Sequence, residues 1–175
     1  MFVGAYWSQR KESRQQAASR IALFLGTIAS KNEALSTWFL KGRSKAQGRT
    51  KLSLDADSIG RELVANRRDI GGEPMLEVGF SMGIWNGESV SFDATIGAFS
   101  PYVQNSVVLS FDDDGDRLNE TDWRGLLDSA IFAFEPEHGV VTSGQRLARA
   151  GARSAWDAGL LTYERSTGVR EHSDT

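Results

Sequence analysis

The chain of 175 residues contains no cysteine and only two histidines, His138 and His172. Without thiols there is no disulfide framework and no thiolate metal site, and two imidazoles cannot build a histidine-rich cluster. Proline is scarce, at three residues, and no Pro/Ser-rich linker divides the chain. No run approaches the ~18 consecutive apolar residues that a membrane span requires. The opening Met-Phe-Val-Gly-Ala-Tyr-Trp lacks a basic segment followed by an apolar one, so no secretory leader is expected. No Gly-Lys-Ser/Thr completes a phosphate loop and no Gly-x-Gly-x-x-Gly occurs. These absences predict a cytoplasmic protein with no cofactor, no metal and no membrane contact.

What is present is ordinary in amount and uneven in placement. Hydrophobic residues make up 40% and charged residues 25%, enough to bury one real core. A single domain over residues 1–170 is expected, with 171–175 as a frayed tail. The net charge of −3 hides a segregation. Residues 1–51 hold ten Lys/Arg against two acids, and residues 52–143 hold five against seventeen. The acidic middle argues against a duplex-binding module and favours a basic protein partner.

Hydrophobic spacing then sketches the elements. Phe2–Trp7 reads as a strand, and Ala17, Ala18, Ile21, Phe24, Leu25 and Ile28 form the stripe of a helix from Glu12 to about Ser30, with Arg14 and Arg20 facing away. Trp38-Phe39-Leu40 is a short strand closed by Gly42, and Arg43 to Lys51 a basic loop. Asp57-Ser58 can cap a second helix towards Asn66, with Ile59, Leu63 and Val64 inward. Met75 to Ile84, Ser89 to Phe99 and Ser106 to Phe111 read as three strands, the first two joined by an Asn86-Gly87 hairpin. Thr121 can cap a third helix burying Trp123, Leu126, Leu127, Ile131 and Phe134. Val140-Val141 and Leu160–Tyr163 read as strands, with a helical stretch from Gln145 to Trp156 between them. The sum is an α+β fold, with a mostly antiparallel central sheet and helices packed on it.

Three patterns invite chemistry. Gly79-Phe80-Ser81-Met82-Gly83 matches the nucleophile elbow of serine hydrolases, but a second strand follows where the elbow needs a helix. The bland reading is a bent strand whose small residues permit close packing. Asp112-Asp113-Asp114-Gly115-Asp116 resembles a calcium loop. With Gly115 at the sixth position, Ser110 stands first and Thr121 last, so both charged end ligands are missing. A solvated loop is the plain reading. The sharper one is a recognition patch of Asp112, Asp113, Asp114, Asp116 and Glu120 that accepts charge-assisted bonds from a basic partner. Asn66-Arg67-Arg68-Asp69 falls at a predicted helix end, where cations complement the dipole. The five tryptophans read mainly as core, with at least two partly exposed.

Taken together, several fragments resemble one family. Gly4-Ala5-Tyr6-Trp7, Arg10 and Glu12, Trp38 with Lys41-Gly42-Arg43, Asn66-Arg67-Arg68-Asp69, Gly79-Phe80-Ser81 and Trp85-Asn86-Gly87 occur in an order similar to immunity family fifty-two of bacterial polymorphic toxin systems. The Asn105–Leu109 strand, Gly139–Ser143 and Leu161-Thr162-Tyr163 continue the likeness, while Leu160 departs from the aromatic expected there. Gly4, Tyr6, Trp7, Trp38, Gly42, Arg67, Asp69, Trp85, Asn86 and Gly87 are its motif positions, read as structural. The resemblance implies an antidote and not an enzyme. It implies a protein that binds a restriction-endonuclease-like nuclease toxin delivered by contact-dependent, type VI secretion, with no direct nucleic-acid contact, as a monomer or homodimer. The competing readings are an adaptor or chaperone for a secreted effector, and a serine hydrolase using Ser81.

Overall fold

The structure, a computed structural model, describes residues 1–41, 50–66, 71–112, 120–143, 146 and 159–172. In chain order the elements are β1 (Phe2–Trp7), α1 (Arg14–Lys31), β2 (Trp38–Leu40), β3 (Lys51–Leu52), α2 (Ala56–Glu62), β4 (Val64–Ala65), β5 (Phe80–Trp85), β6 (Val90–Ile96), β7 (Asn105–Phe111), α3 (Glu120–Phe134), β8 (His138–Thr142), β9 (Leu161–Glu164) and β10 (Gly168–Glu171). The strands form one antiparallel sheet in the order β10-β9-β8-β1-β7-β6-β5-β2-β3, and β4 also pairs with β5. The first strand of the sequence therefore lies between β7 and β8. The fold is α+β, as the alternation of apolar residues implied.

Strand alternation assigns the two faces. Val3, Ala5 and Trp7, Phe80, Met82 and Ile84, and Phe92, Ala94 and Ile96 are buried towards the helices. Trp7 stacks on Phe134 of α3 with ring centroids 5.7 Å apart, and Phe24 of α1 lies 5.6 Å from Phe92 and 5.4 Å from Phe134. All six stripe residues of α1 are buried. The helix starts at Arg14, not Glu12, because Ser13 is its N-cap. Ser13 accepts from the Gln16 amide while the Gln16 side chain accepts from the Ser13 amide, a reciprocal capping box.

Several sequence expectations need correction. Asp55, not Asp57, caps α2 and accepts from the Ser58 amide at 2.8 Å. The Ser53 side chain and then the Ser58 amide hold its carboxyl well below the usual range. The helix stops at Glu62, and Val64 turns out into β4 opposite Ser81, 58% exposed. A β-branched residue with a free strand edge beside it gains a ladder where another helical turn would gain little. The run from Met75 is a 3-10 turn, Leu76–Val78, before β5, since Gly79 at φ 72° breaks the extended path. Glu120 already belongs to α3, so Thr121 is not its cap. The strand at Leu161–Glu164 is not the last: Gly168–Glu171 follows it as β10 and pairs with it in a hairpin. Lys51 pairs with Phe39 in β3 and is not loop. Of the helix expected over 145–156, only Arg146 is among the described residues; the rest, with Trp156, falls outside them.

Candidate partner-binding surface

The sheet face away from the helices is read off the strand register. Its middle row runs Gly4–Val108–Asp93–Gly83, and its flanking rows carry Tyr6, Ser106, Thr95 and Ser81 on one side and Phe2, Ser110, Ser91, Trp85 and Phe39 on the other. Two glycines make room here. Tyr6 lies flat over Gly4, where an added Cβ would fall 2.5 Å from the Tyr6 hydroxyl. Burial in this position raises the Tyr6 pKa. Gly83 leaves space for Lys41 Nζ to reach Asp93 at 2.7 Å. This pair offsets the charge in the middle of the face.

Ser81 lies on it, within β5, paired with Thr95 and Val64. The strained strand-to-helix turn of a nucleophile elbow is absent at this serine. His138 sits in the same row four strands away, roughly 19 Å at ~4.8 Å per strand. His172 Nε2 lies 2.8 Å from Thr162 Oγ1 and does not approach Ser81. The close-packed strand is the correct reading of Gly79–Gly83.

The remaining motif residues are mostly structural. Trp38 is fully buried, and its indole N–H donates to Leu35 O at 2.8 Å. Trp7 and Trp123 are also buried, and Trp85 is half-buried against Phe39. Asn86 holds the hairpin by accepting from the Glu88 and Val90 amides, while Gly87 takes φ 88° where an added Cβ would fall 2.9 Å from the Phe39 ring. Gly42, Arg67 and Asp69 lie outside the described residues. So do Asp113, Asp114 and Asp116 of the acidic patch. Asp112 is exposed just beyond β7, its amide donating to Ser89 O, and Glu120 opens α3.

At the opposite end of β7 the chain builds something the sequence did not announce. Glu12 is buried between two arginines, its Oε1 lying 3.1 Å from Arg10 Nε and 2.7 Å from Arg20 Nε. The Arg10 contact is close enough to pair charge but misaligned for a hydrogen bond, and Glu12 Oε2 has no partner among the described residues. Both arginines also cap the C-terminal end of α3: Arg10 donates to Phe134 O at 2.7 Å, and Arg20 to Ala133 O at 2.8 Å and to the Glu135 carboxylate at 2.9 Å. Cations here oppose the negative end of the helix dipole. Arg20's hydrogen bond holds the Glu135 carboxyl below its ordinary value, and Ser8's hydroxyl does the same for Glu137. Arg14 and Arg20 thus reach across to neighbouring elements. Arg14 donates to Gly60 O and Leu63 O at the end of α2 and lies over the Phe80 ring.

Next to this network lies an open cleft of about 500 Å³ lined by Lys11, Glu12, Arg14, Leu76, Phe80 and Phe99, together with the capping-box pair. Leu76 is 55% exposed and Phe99 37%. Lys11 Nζ lies 5.2 Å from the centre of the Phe99 ring. In the same turn Tyr102 is 94% exposed. Three loops meet here and are latched together. Buried Asn105 accepts from Ala98 N at 2.8 Å and donates to Ala98 O and to Ser8 O. Arg10 N donates to Ala98 O, and Phe99 N and Ser100 N donate to Glu77 O. Exposed aromatics on a latched frame are the elements of a protein-binding surface. The signal in the sequence was weak: Phe99-Ser100-Pro101-Tyr102 reads as the end of a strand and a turn.

A family model described as Immunity protein 52 matches residues 1–163. No curated protein matches the chain.

Proposed function

The chain belongs to the Immunity protein 52 family, and we propose that it binds and neutralises a cognate nuclease toxin with a restriction-endonuclease-like domain, delivered by type VI secretion. It does so in the producer's cytoplasm, where it prevents self-intoxication. The carrying observation is the family match over nearly the whole length. An immunity protein acts through a stoichiometric complex with a toxin protein, so its chemistry is that of an interface: desolvated anchors at the centre and charge at the rim. Among the described residues no helix is long and apolar enough to cross a membrane.

The experiment is co-expression with the toxic domain encoded next to this chain. Rescue of growth together with a stable co-purifying complex supports the reading. Soluble expression without rescue or complex overturns it for that toxin.

The acidic segment that begins at Asp112 is the contact for the toxin's basic substrate groove, where carboxylates take the place of phosphates. Asp113, Asp114 and Asp116 follow it in sequence, and Glu120 opens α3. Neutralising Asp112, Asp113, Asp114 and Asp116 together to Asn is expected to slow association and flatten its salt dependence. Unchanged affinity at low salt sinks this contact while leaving immunity intact.

A further inference from the structure

We propose that the cleft between Lys11, Leu76 and Phe99 seats an acidic, apolar element of the toxin: a carboxylate set beside an aromatic or large aliphatic side chain. This rests on the toxin-binding function proposed above. The floor is Phe80 and the exposed walls are Leu76 and Phe99, so the cleft offers apolar area that water covers at a cost. The charge at its rim has one sign. Lys11 and Arg14 line it as cations, and the one lining carboxylate, Glu12, is neutralised by Arg10 and Arg20. Lys11 lies over the Phe99 ring with no carboxylate at ion-pair distance among the described residues, so its ammonium is open to a partner's acid. A carboxylate docking there gains a charge-assisted contact while its apolar neighbour covers Phe99.

Position excludes the other candidate on the toxin. Asp112, the first residue of the acidic segment, stands just beyond the far end of β7, and the cleft lies at the Asn105 end, roughly 20 Å away at ~3.3 Å per residue. A basic nucleic-acid groove is repelled by Lys11 and Arg14, so the cleft grips a different part of the toxin from the acidic segment. Little ordering is needed on binding, because Asn105, Arg10 and Glu77 already tie the three loops together.

The test uses the full chain and the toxin domain encoded beside it, catalytically inactivated, with affinity measured by titration calorimetry at low and high salt. Lys11→Glu and Leu76→Ala alter exposed side chains that line the cleft, so both are expected to unfold at the wild-type temperature. Each is expected to weaken binding about tenfold or more, the scale of an anchor residue. Lys51→Glu, an equal charge change on β3, is expected to stay within twofold. Cleft variants that bind within twofold of wild type overturn the cleft assignment and leave toxin binding standing. A wild-type chain that does not bind overturns both. A chain that dimerises alone and becomes monomeric with Lys11→Glu makes a second copy the occupant, which also overturns the proposal.

Discussion

A Cβ placed on Gly79 would lie 2.6 Å from both Ile96 O and Ala98 N, on a backbone already at φ 72°. The three atoms nearest a Cβ on Gly4 all belong to the Tyr6 ring and hydroxyl. The two glycines look alike in the sequence and differ in what surrounds them. Backbone cannot yield, so Gly79→Ala is expected to cost on the order of 2–3 kcal/mol from strain and overpacking. Gly4→Ala displaces a side chain that can swing into solvent, and its cost is expected to be about 1 kcal/mol or less. Urea unfolding of both variants checks the ranking, and a Tyr6 that titrates closer to free tyrosine in the Gly4 variant checks the mechanism. Near-equal losses would mean that Tyr6 is as fixed as the β5–β6 backbone. Of the motif residues, Trp7, Trp38 and Gly87 were legible from type alone. Lys41 was not, because its partner Asp93 stands 52 positions away.

At the scale of elements, one side chain contributes three hydrogen bonds to the latch between loops. Asn105 uses its carbonyl and its amide to join the β6–β7 turn to the segment after β1. Asn105→Ala leaves the buried Ala98 amide without its acceptor and takes a donor from Ser8 O and from Ala98 O, the latter keeping Arg10 N, a loss of about 2–3 kcal/mol. Amide exchange at Ala98 is expected to speed up together with that loss, while β9 and β10 keep their protection. Uniform acceleration everywhere would show that the latch contributes only to global stability. In the sequence Asn105 was merely the first residue before an apolar run. Its two partners, at Ser8 and Ala98, come from separate loops, and no spacing rule connects them.

For the molecule as a whole, the turn from α3 into β8 is held by charge. Glu135 and Glu137 are anchored by Arg20 and Ser8, and both carboxyls titrate below their ordinary value. Carboxyls depressed in the folded state stabilise it above the unfolded pKa, and that contribution is lost as pH falls through the folded pKa. Stability is therefore expected to decline as pH falls below about 4.3. Both groups are largely solvated, so each supplies only a few tenths of a kcal/mol. Thermal melts from pH 6 to pH 3 on wild type and on the Glu135→Gln, Glu137→Gln double variant check this. A variant with the same acid slope as wild type would move the cause to other carboxylates.

The sequence by itself determined the strand alternation, the buried stripe of α1, the hairpin at Asn86-Gly87 and the family. Each of these is written in neighbours a few positions apart, where helix and strand periods act. Only the tertiary structure decided that β1 sits between β7 and β8, that Val64 leaves the helix for the edge of β5, and that Glu12 is shared by Arg10 and Arg20. It also decided that Lys11, Leu76 and Phe99 face one cleft. Long-range pairing depends on which edges and carbonyls the rest of the chain leaves open, and local preference carries no record of that.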